Sequence, residues 1–102
     1  MSVRYVLAPQ AARDLLEIWR YLKENASLAT ADRVESVIKE KFAFLSEHPH
    51  AGHTRKNLTG EPVRFFPAYS YLIVYRPGIV PLQVVSILHG RRDLETLLKA
   101  RL

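Results

Sequence analysis

The chain has 102 residues, a net charge of +5 and no cysteine. A chain of this length is expected to form one domain, residues 1–102, with a modest core. The missing thiols exclude disulfides, thiolate metal sites and cysteine nucleophiles, and they fit a cytoplasmic protein.

The opening, MSVRYVLAPQAARDL, has no long apolar stretch of the kind that directs secretion. No apolar run reaches the ~20 residues that span a bilayer, so no membrane partner is expected. Charge is divided unevenly. Residues 1–50 balance seven Lys/Arg against seven Asp/Glu, whereas residues 51–102 hold eight against three. A basic second half points to a polyanion or an acidic protein as partner.

In chain order, VRYVL (3–7) alternates as a short strand. Pro9 suits the first turn of a helix, where its missing N–H is not needed. Ala11, Leu15, Ile18 and Leu22 then recur at helical spacing, and Ala12, Leu16 and Trp19 form a second apolar stripe beside them. That face is wider than one core contact requires. ENAS (24–27) is a polar break. A second helix is predicted from Leu28 to His48, with Val34, Val37, Ile38, Phe42 and Leu45 buried. His48–Pro49 ends it, because proline disfavours helix in the residue before it. Two long helices joined by a short break predict an antiparallel hairpin.

PHAGHTRKNLTGEP (49–62) reads as a loop. VRFF (63–66) is β-prone. AYSYLIVYRPG (68–78) reads as a strand with Tyr69, Tyr71, Ile73 and Tyr75 on one face, ended by the turn signal Arg76-Pro77-Gly78. PLQVVSILHG (81–90) is the most apolar strand and is expected inside the sheet. Asp93 is placed to cap a last short helix through Leu98. The predicted fold is therefore α+β, in the order β-α-α-β-β-β-α, with an antiparallel sheet packed against an N-terminal helical hairpin.

Three stretches, YVLAPQAARDLLEIWRYL, HPHAGHTRKNLTGEPVRFFPAYSYLIVYR and VVSILHGRRDL, occur in this order over almost the full length. Together they resemble the ParE/RelE superfamily of bacterial type II toxins, and the ParE branch in particular. The resemblance implies a small basic toxin neutralised by a cognate antitoxin, ParD-like or another DNA-binding antitoxin, in a higher-order complex. No sequence-specific DNA binding by this chain itself is implied. RelE-like members cut mRNA on the ribosome. ParE-like members bind DNA gyrase and block replication.

RNA cleavage by 2′-hydroxyl attack needs a base, an acid and cations at the phosphate. In RelE-like enzymes two lysines sit on the strand before the tyrosine-rich one, where this chain has Val63 and Phe65. An arginine of that strand is replaced by Leu72, and a tyrosine of the final helix by Leu98. Arg92 alone matches a catalytic slot. No catalytic residue is therefore expected; an RNase built from what remains would use Arg92, His89 and Arg64. The expected function is a binding toxin acting on gyrase. The alternatives are a RelE-like ribosome-dependent endonuclease and a non-toxic remnant that still binds its antitoxin.

The candidate antitoxin contacts are Leu16, Trp19, Arg64, Arg91 and Arg92. The candidate target contacts are Arg91, Arg92, Lys99 and Arg101. His48, His50 and His53 lie across a Pro/Gly loop with no acid or cysteine to complete a tetrahedral set, so no metal is expected. No cofactor is expected either. Tyr69, Tyr71 and Tyr75 are placed to stack on bases or to pack beneath the helices.

Overall fold

A computed structural model describes residues 4–90 and 93–102. The elements are β1 (Tyr5–Leu7), α1 (Pro9–Asn25), α2 (Leu28–Glu47), β2 (Arg64–Ala68), β3 (Tyr71–Arg76), β4 (Leu82–His89) and α3 (Leu94–Arg101). The fold is α+β, and this order is the one read from the sequence.

Local chemistry explains most boundaries. Pro9 opens α1. Ser27 caps α2, its hydroxyl accepting from the Thr30 N–H at 3.0 Å, a contribution of about 1 kcal/mol. His48 closes α2 ahead of Pro49. Asp93 caps α3 by accepting from the Thr96 N–H. That helix runs three residues past the expected end at Leu98, because Arg101 is held against the body of the protein, as described below.

The sheet order is β1-β4-β3-β2, so β4 is interior as its composition predicts. The sheet is mixed, which corrects the expected antiparallel arrangement. β2–β3 and β3–β4 pair antiparallel, but β1 runs parallel to β4 in the register Tyr5↔Leu82, Val6↔Gln83, Leu7↔Val84. The helical hairpin is the cause. It returns the chain to the end of the sheet at which β1 began, so β2 sets off in the direction of β1. Two antiparallel steps then give β4 that direction again.

The predicted long strand from Ala68 is also corrected. Tyr69 and Ser70 form a tight turn between β2 and β3, and Tyr69 has φ 57. It is 59% exposed and does not share the buried face of Tyr71, Ile73 and Tyr75.

Each face of the sheet has its own apolar cluster. On the first, the α1–α2 hairpin packs Leu15, Val34, Ile38, Phe42 and Leu45 onto Ile73, Tyr75, Val84 and Ile87. Tyr5 meets Phe42 with ring centroids 5.4 Å apart. On the second, Val63, Phe65, Val74, Val85 and Leu88 meet Leu94 and Leu98 of α3. Both faces of β4 are apolar because the hairpin covers one and α3 the other. The β3–β4 register shift at Val74/Tyr75 leaves an extra residue on β4, so Val84 and Ile87, three apart, share the first cluster, and Val85 and Leu88 share the second.

Candidate functional site

The strongest polar feature is where α1, β4 and α3 meet. Asp14 lies on the buried stripe of α1 and is 4% exposed. One oxygen, Oδ2, accepts from the Ser86 hydroxyl at 2.8 Å, the Ile87 N–H at 2.9 Å and Arg101 Nη1 at 2.9 Å. The other, Oδ1, accepts from Gln10 at 2.9 Å. Arg101 Nη1 also donates to Ser86 Oγ at 2.6 Å. β1 pairs with β4 only as far as Val84. Asp14 thus satisfies a β4 N–H that no strand reaches, and Arg101 neutralises the charge this brings inside.

A groove of about 580 Å³ opens beside this network. Asp14, Glu17, Ile18 and Tyr21 of α1 form one wall. Tyr71, Ile87, Leu88 and His89 of the sheet form the floor, and Leu97 and Arg101 of α3 the other side. The Tyr71 and His89 rings meet edge-on at 5.5 Å. Burial, reinforced by the neighbouring Tyr21, raises the Tyr71 pKa above 10.0.

The second apolar stripe of α1 divides. Leu16 is 46% exposed. Trp19 is half-buried and ties the hairpin together, its indole N–H donating to Asp32 of α2 at 2.8 Å while Lys23 sits 5.2 Å above its ring. Arg64 is on β2, where Nη1 donates to the Gly52 carbonyl at 2.8 Å. This contact belongs to a lock on the 49–62 loop. The Tyr75 hydroxyl donates to the Pro49 carbonyl at 2.8 Å and accepts from the Gly52 N–H at 2.9 Å. A Cβ at residue 52 would meet the Tyr75 hydroxyl and lie 2.8 Å from the Phe65 carbonyl, so this close approach admits only glycine.

Lys99 is exposed on α3, 3.7 Å from Glu95. Arg101 is largely committed to Asp14. Arg91 and Arg92 lie outside the described residues. His48 packs on the Phe44 ring at 4.8 Å, and the backbone of His53 bridges to Phe65. Among the described residues, no three His, Cys, Asp or Glu side chains are grouped to hold a metal ion. No helix among them is long and apolar enough to cross a membrane.

The positions that a RelE-like RNase would make polar converge in space. Val63, Phe65 and Leu98 are buried in the second cluster and Leu72 packs against it. None of these side chains can transfer a proton or bind phosphate. His89 and Arg64, the other described residues of a hypothetical RNase set, are occupied elsewhere. His89 is on the Tyr71 ring in the α1 groove, and Arg64 is bonded to Gly52.

Sequence reasoning did not single out Asp14, Ser86, Glu17 or Tyr21. For Asp14 a signal was present. It falls between Ala11, Leu15 and Ile18 on the buried face of α1, and an acid there requires a partner. The partner, Arg101, is 87 residues away, and no local pattern connects the two.

Among proteins of known structure, a chain described as "Chromosomal ParDE TA system from P. aeruginosa" is similar in fold. Its TM-score is 0.72 at 18% identity, over 83% of this chain and 92% of that one. No curated protein matches the sequence. The family model described as "ParE toxin of type II toxin-antitoxin system, parDE" matches residues 5–94. That match takes in every strand, the whole helical hairpin and the start of α3, and it places the chain in the ParE toxin family of type II toxin–antitoxin systems.

Proposed function

We propose that this chain is a cytoplasmic toxin that inhibits DNA gyrase by binding and is neutralised by an antitoxin encoded beside it. The observation that carries the non-catalytic reading is the apolar cluster under α3. A nuclease needs its base, acid and phosphate-binding cations on one accessible surface. Here the corresponding positions, Val63, Phe65, Leu72 and Leu98, are packed together as core. The family match supports the toxin, and the gyrase target follows from what the ParE branch implies.

A binding toxin acts through surface rather than proton transfer. The basic excess of residues 51–102 and the exposed part of α3 around Lys99 supply a cationic surface for the target. The outer side of the hairpin around Leu16 supplies an apolar surface for the antitoxin. Purified toxin should inhibit supercoiling by gyrase and accumulate cleaved DNA. It should leave translated mRNA without codon-phased cuts in primer extension. Full supercoiling at saturating toxin rejects the gyrase target, and phased cuts reject the binding mechanism.

A further inference from the structure

Among the described residues, the carboxylates that line the groove between α1, β4 and α3 outnumber its lysines and arginines. The protein carries +5, yet the described lining of this groove contains two carboxylates, Asp14 and Glu17, and one arginine. Asp14 and Arg101 neutralise each other at 2.9 Å. Glu17, one turn further along α1, is exposed and has no ion-pair partner among the described residues. Beside it stand the rings of Tyr21, 61% exposed, and Tyr71. A carboxylate next to aromatic faces is suited to a cation, which gains both Coulomb attraction and the ring quadrupole. Phosphate is disfavoured at the same place by like charge.

The remaining lining sets the shape of the occupant. Ile18 and Leu97 give apolar walls on opposite sides. The groove follows β4 beyond Val84, where β1 no longer borders the strand. Its α1 rim is exposed at Glu17 and Tyr21, which leaves the groove accessible to a chain segment. Arg101 uses Nη1 for Asp14 and Ser86. Its other guanidinium nitrogens can donate to the carbonyls of such a segment.

We infer that this groove receives a segment of the antitoxin in which a lysine or arginine, flanked by apolar side chains, sets its charge on Glu17 between the Tyr21 and Tyr71 rings. The inference rests on the antitoxin reading above and adds to it a site and a chemical requirement. The outer hairpin face around Leu16 selects apolar surface alone. The groove selects one cation in register with two apolar anchors, and so contributes specificity among antitoxins.

Isothermal titration of the full chain with the purified product of the adjacent reading frame tests this. Glu17→Gln, an isosteric change on an exposed helix surface, should weaken binding about tenfold, and Glu17→Lys about a hundredfold. Each Lys or Arg of the antitoxin is then changed in turn to Glu and titrated against the Glu17→Lys toxin. One of them should restore affinity to within a few-fold of wild type. Unfolding midpoints for both toxin variants should match wild type. Wild-type binding that is unchanged by Glu17→Gln and Glu17→Lys overturns the groove and leaves the antitoxin reading standing. Weakening that no charge reversal rescues overturns the cation on Glu17. An adjacent product that does not bind wild type overturns the antitoxin reading and this inference together.

Discussion

The two faces of the sheet carry apolar clusters built on different principles. Beneath the hairpin, the core includes polar groups with complete partners. Asp14 has four donors, and the Tyr75 hydroxyl both donates and accepts. Beneath α3, the core is purely aliphatic and aromatic, from Val63 and Phe65 to Leu94 and Leu98. The first face uses directional bonds to fix chain segments distant in sequence, tying α1 to α3 and β3 to the 49–62 loop. The second uses bulk burial at the positions where a related RNase keeps its catalytic groups. On the binding-toxin reading proposed above, positions that the resemblance gives to catalysis in RelE-like members serve here as core beneath α3. Two of the arginines take part in the directional ties: Arg64 bonds the Gly52 carbonyl and Arg101 bonds Asp14.

The sharpest way to break this contrast is to restore polarity on the second face. Phe65 is fully buried, and Phe65→Lys would place an unpaired ammonium in an aliphatic cluster. It should destabilise by about 4 kcal/mol or more and restore no RNA cleavage. Urea denaturation and primer extension check the two halves of that statement. If the face is a concealed active site, the variant stays folded. On the first face, Asp14→Ala should destabilise by about 3 kcal/mol, because it strands the Ile87 N–H and leaves Arg101 without its counter-charge. Pairing it with Arg101→Met should cost clearly less than the sum of the two single changes, as a double-mutant cycle will show.

The next effect belongs to the loop lock. Tyr75→Phe keeps the ring but removes the hydroxyl that bonds Pro49 and Gly52, and should lower stability by about 1–2 kcal/mol. Burial holds the Tyr75 pKa above 10.0, and this outweighs the lowering by Gly52 and Arg64. The sign follows from the neutral phenol being favoured in the folded state. Its contribution is fully present below pH 10 and is lost as pH rises through the folded pKa. Wild type should therefore lose stability above about pH 10 more steeply than Tyr75→Phe in chemical denaturation. Tyr71, whose pKa is also raised, keeps some of that slope in the variant.

Periodicity and capping made the element order legible, because Pro9, His48–Pro49 and Asp93 act on their immediate neighbours. They also placed Leu15, Ile38, Phe42 and Leu45 inside. The direction of β1 relative to β4 was not legible. It depends on which end of the sheet the hairpin returns to, a property of the whole chain. The turn at Tyr69 was hidden because a non-glycine residue at φ 57 leaves no compositional mark in a run that otherwise alternates. In the site, the apolar replacements at Val63, Phe65, Leu72 and Leu98 could be read directly from the aligned motifs. The structural roles of Arg64 and Arg101 could not, since each is fixed by an acceptor far away in sequence.

The smallest expected effect concerns the cover on the second face. α3 is held at its C-terminal end by Arg101 and at its N-terminal end by the Asp93 cap. The Asp93 carboxylate accepts from the Thr96 hydroxyl at 2.7 Å and from the Thr96 N–H at 3.2 Å. These bonds, the side-chain one first, lower the Asp93 pKa below 3.8, and Lys99 adds to the lowering. A depressed carboxylate stabilises above its unfolded pKa and loses that contribution as pH falls through the folded value. Acidification below about pH 4 should therefore loosen the first turn of α3. Hydrogen exchange at the Thr96 amide should accelerate there while the Ile38 amide in α2 stays protected. Asp93→Ala should give the same local acceleration at neutral pH. If Asp93→Ala instead accelerates exchange throughout β4, the cap at the start of α3 governs the whole second face, and the two faces are less independent than their separate clusters imply.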